Sequence, residues 1–151
     1  MLNPLTAIFD CKNGELFEHG VVVKMMRLLL QEASHVIRLL PEIHNSEDPE
    51  IEERFSTREL EVKVLDVAEK TAKNTSSMLQ DVRAGRETEI DYINGWIVKR
   101  GRELGVGCEH NAKLVEMVKE RKRIGTEELR EHFEGPGDRI HVSDAFNWVW
   151  P

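Results

Sequence analysis

Two short stretches concentrate side chains able to hold a small polar acid. The first is Asn3-Pro4-Leu5-Thr6-Ala7, followed by Asn13-Gly14-Glu15-Leu16. An asparagine before proline is biased out of helical geometry, so Asn3 is expected where a helix bends or begins, with its amide free to face a cleft. Asn13-Gly14 is an ordinary turn pair, and a plain cap and turn also account for this stretch. The second is Ser76-Ser77-Met78-Leu79-Gln80-Asp81, then Thr88-Glu89-Ile90-Asp91-Tyr92-Ile93-Asn94-Gly95. It places two helix starts close together, and free N–H groups with the helix dipole favour anions at such ends. Ser77 offers a hydroxyl and Glu89 a carboxylate. The simpler alternative is that Ser77 caps one helix, in a Ser77–Gln80 capping box, while Glu89 complements the dipole of the next.

Other chemistries find no support. Neither a dinucleotide-binding Gly-x-Gly-x-x-Gly nor a P-loop is present. His19, His35, His44, His110, His132 and His141 are scattered, and Cys11 and Cys108 form no Cys-x-x-Cys pair, so no metal site is expected. Two distant cysteines make no disulfide framework and fit buried, reduced thiols. A net charge of −7 argues against nucleic acid. The basic cluster Lys119, Arg121, Lys122 and Arg123 suits the end of a helix. The start shows no cleavable leader, and the apolar runs are too short to cross a bilayer, so a soluble cytoplasmic protein without a membrane partner is expected.

The elements that must position these side chains read as helices. Leu16 to Leu40 is apolar over a wide arc, the mark of a central buried helix, and Pro41 ends it. His44 to Glu53 reads as a polar loop. A helix over Thr57–Ala72 carries a stripe of Leu60, Val64, Val67, Ala68 and Thr71. A short helix fits Met78–Ala84, closed by Gly85. The next begins near Thr88, with Ile90, Ile93, Ile97 and Leu104 on one face, and ends at Gly105. Another covers Asn111 to Arg123, with Leu114, Val115 and Val118 inward. Thr126 to Phe133 fits a short helix, and the apolar tail Phe146–Pro151 follows. No convincing alternating strand appears in the body, so the fold class is all-α.

Taken together, Asn3–Thr6, Asn13–Leu16, Ser76–Asp81 and Thr88–Gly95 resemble four motifs of the ketopantoate reductase (2-dehydropantoate 2-reductase) family, within its C-terminal helical domain. Asn111–Lys119 also looks family-like. The resemblance covers residues 1–123 and leaves 124–151 as an unmatched tail. It implies a helical bundle of the kind shared with 6-phosphogluconate dehydrogenase-like proteins. It also implies reduction of 2-dehydropantoate to pantoate with NADPH, in a cleft against a Rossmann domain. By motif, Asn3, Asn13 and Ser77 would contact substrate, and Glu89 would close the site beside substrate and cofactor. The family's catalytic lysine and a further asparagine match positions upstream of Met1, and Lys12 does not match that lysine. The chain alone is therefore expected to bind no NADPH and to be inactive without a separate Rossmann partner. The competing expectation is a non-enzymatic oligomerisation or partner-binding module. A homodimer is expected either way, through apolar surface around Leu2, Leu5, Ile8 and Phe9 and through Phe146, Trp148, Val149 and Trp150 of the tail.

Overall fold

In the computed structural model, which describes residues 1–133, nine α-helices and one 3₁₀ turn follow one another without a strand among the described residues. They are α1 Leu2–Phe9, the 3₁₀ turn Gly14–Glu18, α2 Gly20–Arg38, α3 Pro41–His44 and α4 Ile51–Arg54. Then come α5 Thr57–Lys70, α6 Ser77–Arg83, α7 Ile90–Leu104, α8 Glu109–Lys119 and α9 Thr126–Phe133.

Helix α2 is the axis, because its apolar residues recur around most of its circumference. Val22, Met25, Met26, Leu29, Leu30, Ala33 and Val36 are all buried. It packs against α5, α7, α8 and α9, so nearly every face meets a neighbour. The main core joins Val22, Met25, Met26, Leu29 and Leu30 to Leu5, Ile8, Leu16, Met78, Ile90, Leu114 and Leu129. A smaller core gathers Ala33, Val36, Ile97 and Cys108 at the far end of α2.

The single helix expected from Leu16 to Leu40 is divided. Gly14 donates to the Ala72 carbonyl at 3.0 Å, which pins the 3₁₀ turn against the end of α5. The chain must then change direction, and His19 does so in extended backbone (φ −123°, ψ 113°) before Gly20 opens α2. The expected loop between His44 and Glu53 contains the one-turn helix α4. The stripe on α5 is only partly covered, since Ala68 is buried while Val67 is 49% exposed. Helix α5 leans chiefly on α2, so a narrow strip suffices. The cap of α6 is Ser76, one residue before the expected Ser77: its oxygen accepts from the Leu79 N–H at 3.1 Å. Helix α8 stops at Lys119, short of Arg123, because Arg121 adopts a left-handed φ of 53°.

Leu2, Leu5 and Ile8, expected to be bare, lie in the core instead. Helix α1 packs on α6 and α8 and buries its apolar face within this chain. The tail residues Phe146, Trp148, Val149 and Trp150 fall outside the described residues. Ile124 and Leu129, beyond residue 123, still belong to the packed body: Ile124 donates to the Ile8 carbonyl at 3.0 Å, and Leu129 is wholly buried.

One carboxylate organises the α2–α8 contact. Glu32 of α2 accepts from the backbone N–H groups of His110 and Asn111, both at 2.9 Å, at the start of α8. It also accepts from Asn111 Nδ2 at 2.6 Å and pairs with His110 Nδ1 at 2.6 Å. Glu32→Ala should therefore cost about 2–4 kcal/mol, as a lost cap plus a buried Asn111 that keeps only its Leu29 acceptor. Urea unfolding would measure it, and a change under 0.5 kcal/mol, about the size of a surface effect, would refute this assignment.

Candidate functional site

Helix α1 holds Asn3 in its first turn. Pro4 is tolerated beside it because its missing N–H would have no intrahelical partner there. Asn3 is half-buried, its carbonyl accepts from the Thr6 hydroxyl at 2.8 Å, and its side-chain amide makes no hydrogen bond among the described residues. Ser77 is the first residue of α6, exposed, with its hydroxyl likewise unused among the described residues. Glu89 stands at the start of α7, exposed, without a side-chain cap bond. The N-terminal ends of three helices thus each present a polar group that the fold does not consume.

Asn13 behaves differently. It is buried, its Nδ2 donates to Thr71 Oγ1 at 2.8 Å, and its backbone N–H donates to the Asn74 carbonyl at 3.2 Å. With the Gly14 bond to Ala72, the turn latches onto the α5–α6 connection. Its Oδ1 is buried without a partner, as is that of Asn94.

These bonds join the pieces. The latch ends at Asn74, two residues before the cap of α6. Thr6 of α1 and Ser76 share a buried hydroxyl contact of 2.6 Å, so the turns carrying Asn3 and Ser77 are tied directly. The first two turns of α7 adjoin the start of α1, where Asn94 Nδ2 lies 3.5 Å from the Met1 sulfur. Asn94 also donates to Asn111 Oδ1 at 2.9 Å, which links α7 to the Glu32 network. Sequence reasoning missed Thr6, Ser76, Thr71, Glu32, Asn94 and Asn111. The last two did carry a signal: Asn94 falls at helical spacing between Ile90 and Ile97 on the buried face of α7, where a polar residue needs a partner.

Two concavities are described elsewhere. One of about 470 Å³ is lined by Phe9, Cys11, Leu16, His19, Val22 and Ile124 among others. Another of about 420 Å³ lies around Leu40, Ile43, Trp96 and Lys99. None of Asn3, Asn13, Ser77 or Glu89 lines either: Ser77 and Glu89 are exposed, Asn3 is half-buried and Asn13 is buried. No group of three or more metal-binding side chains exists among the described residues. The left-handed glycines, Gly85 and Gly105, follow the C-terminal ends of α6 and α7. The helix dipole there is negative, so they make no cradle for a pyrophosphate.

The comparisons with known proteins decide what this arrangement belongs to. Residues 1–122 match the family model described as "Ketopantoate reductase PanE/ApbA C terminal". The chain belongs to this family. The 2-dehydropantoate 2-reductase of Shigella flexneri is 42% identical over 130 residues, covering 83% of this chain and 38% of that protein. The corresponding protein of Archaeoglobus fulgidus is 36% identical over 118 residues, 78% of this chain and 35% of its own length. The crystal structure of a probable 2-dehydropantoate 2-reductase from Bacillus subtilis superposes with a TM-score of 0.66 at 31% identity, covering 80% of this chain and 36% of that one. The chain therefore spans little more than a third of its relatives' length, and the part it matches is their helical C-terminal domain. No helix among the described residues is long and apolar enough to cross a membrane.

The two cysteines take no part in the open face. Burial raises the Cys108 thiol from 9.0 to about 11, with Glu32 and Glu109 adding to the shift. Burial likewise raises Cys11 from 9.0 to about 11, with help from Glu15, Asp10 and Glu18. The thiolate fraction at pH 8 then falls about 100-fold, so iodoacetamide should label both about 100-fold more slowly in the folded chain than in urea. Because these folded values lie above the unfolded 9.0, the stability they contribute is full below pH 9.0 and lost as pH rises through about 11. The latch makes a second expectation. A Cβ on Gly14 would lie 2.8 Å from the Ala72 Cβ and 3.2 Å from its backbone. Gly14→Ala should destabilise by about 1–3 kcal/mol in thermal unfolding, whereas an unchanged melting temperature would show that the latch yields.

Proposed function

We propose that this chain is the substrate-side half of an NADPH-dependent 2-dehydropantoate 2-reductase, with residues 1–123 as the family domain and 124–151 as an appended tail. The observation that carries the reading is the set of unused polar ends at three adjoining helix starts, Asn3, Ser77 and Glu89, on family motifs. Asn3 and Ser77 offer an amide and a hydroxyl to the hydroxyl and carboxylate of a small keto acid, while Asn13, matched to substrate by motif, has its Oδ1 buried and unbonded. An open face supports a site whose second wall is a nucleotide-binding domain, on the same polypeptide or a separate chain.

NADPH, when bound to that domain, supplies the hydride. Of the residues here, only Glu89 suits it, by accepting a hydrogen bond from a ribose hydroxyl, or one from the substrate. The described residues contain no pyrophosphate cradle, which supports binding through the partner domain. The lysine that polarises the ketone in the family has no counterpart in this chain, so turnover depends on the other half. A cytoplasmic location accords with the cytosolic chemistry of this reading and with two free thiols.

A second reading, a binding or homodimerising module, draws on a different observation. Tyr92 is 86% and Trp96 39% exposed, one turn apart on α7. Exposed aromatics of this kind suit an interface.

The purified chain should neither bind NADPH at low micromolar concentration nor reduce 2-dehydropantoate. Joined to a nucleotide-binding half that bears the lysine, it should do both. In that assembly Glu89→Ala should lower kcat/KM by about 100-fold, with a stability change of only about 0.3–1 kcal/mol. Turnover by the chain alone, or an assembly indifferent to Glu89→Ala, would overturn the reading.

A further inference from the structure

Thr6 and Ser76 are neither exposed nor part of the open face. Thr6 is wholly buried and Ser76 is 6% exposed. Their hydroxyls meet at 2.6 Å across the α1–α6 contact, among Leu5, Ile8, Met78 and Leu79. The surrounding bonds set the direction of every proton. The Asn3 carbonyl can only accept, so Thr6 donates to it. Thr6 has then spent its one hydrogen, so Ser76 donates to Thr6 Oγ1. Ser76 Oγ accepts in turn from the Leu79 N–H, at the start of α6. The result is a one-way chain of three bonds, from the Leu79 amide through Ser76 and Thr6 to the Asn3 carbonyl.

Stability alone does not call for this arrangement, since an apolar pair of the same shape would fill the space at little cost. The chain instead confers direction. A methyl contact slides, whereas the one bond that crosses, Ser76 to Thr6, has its direction set by a local bond within each helix and so fixes how α1 and α6 meet at this point. The chain of bonds passes through Ser76, the residue next to Ser77, and ends on Asn3 itself. We infer that Thr6 and Ser76 are positioning residues, which set the separation of Asn3 and Ser77 so that both reach one ligand. This rests on the assignment of those two residues to the substrate site.

The full 151-residue chain serves as the test, with pantoate as the probe in nuclear magnetic resonance titrations. Thr6→Val removes the relay and keeps the shape, Thr6→Ser keeps the relay, and Val36→Ala destabilises the distant small core as a control. Thr6→Val should weaken pantoate binding by about tenfold or more, as a displacement near 1 Å does at a binding constellation. Thr6→Ser should restore it, and Val36→Ala should leave it alone. Residual dipolar couplings should show α1 reoriented against α6 in Thr6→Val only. Should the parent chain take no pantoate, the substrate assignment fails, and the couplings alone decide the positioning claim. An unchanged α1–α6 orientation in Thr6→Val would overturn it, as would an equal loss of affinity in Val36→Ala.

Discussion

The carboxylate of Glu32 sits at the start of α8 with only 11% of its side chain exposed. A charge so placed is costly unless something replaces its water. Two backbone N–H groups, one amide side chain and the His110 ring do so here. The positive end of the α8 dipole adds to them. The consequences spread outward. Asn111, held by Glu32, also donates to the Leu29 carbonyl and receives a bond from Asn94. Asn94 in turn lies against Met1 at the head of α1. One carboxylate on the central helix thereby fixes the positions of α8, α7 and the beginning of α1. Two of the three helix starts that carry the candidate site, those of α1 and α7, are held through it.

The rest of the site is held by uncharged groups. The Asn13-Gly14 turn is bonded to the end of α5, and the Thr6–Ser76 pair spans α1 and α6. The motif residues therefore divide by task. Asn13, Gly14, Thr6 and Ser76 spend most of their hydrogen-bonding capacity inside the fold, while Asn3, Ser77 and Glu89 spend almost none of theirs. A motif mixes both kinds because a ligand-facing residue is useful only if its neighbour fixes it. This explains how Asn13 can be matched to a ligand by motif and yet anchor a turn. Its Nδ2 serves the turn, and its Oδ1 is the part left over.

Much of the fold was legible in the sequence because apolar spacing reports burial directly. Helices α5, α7 and α9 begin within two residues of where their patterns place them, and the burial of Leu114 and Val118 follows from spacing alone. What escaped was set by contacts between distant segments. The break at His19 depends on Gly14 meeting Ala72, 58 residues apart by the bond from Asn13 to Thr71 beside it, and no local pattern announces that. Choosing Ser77 over Ser76 as the cap was a one-residue error between two adjacent serines, and it mattered: the capping serine is buried and bonded, and its neighbour is free. The apolar face of α1 was misjudged because its partners, α6 and α8, lie far along the chain.

The open face follows from the same division. Even the concavities around Cys11 and Trp96 are wide open to solvent. Asn3, Ser77 and Glu89 stand at helix starts, Ser77 and Glu89 exposed and Asn3 half-buried. Such an arrangement orients a polar ligand but cannot exclude water from it. In the proposed reading, hydride transfer to a ketone calls for a dry, enclosed geometry, so a second wall would belong to the chemistry as much as these residues do. A helical body with a core of its own can remain folded while that wall is absent, because the contacts that stabilise it run through α2 and Glu32 rather than through the site. In the proposed reading, folding and catalysis then depend on different surfaces of the same domain.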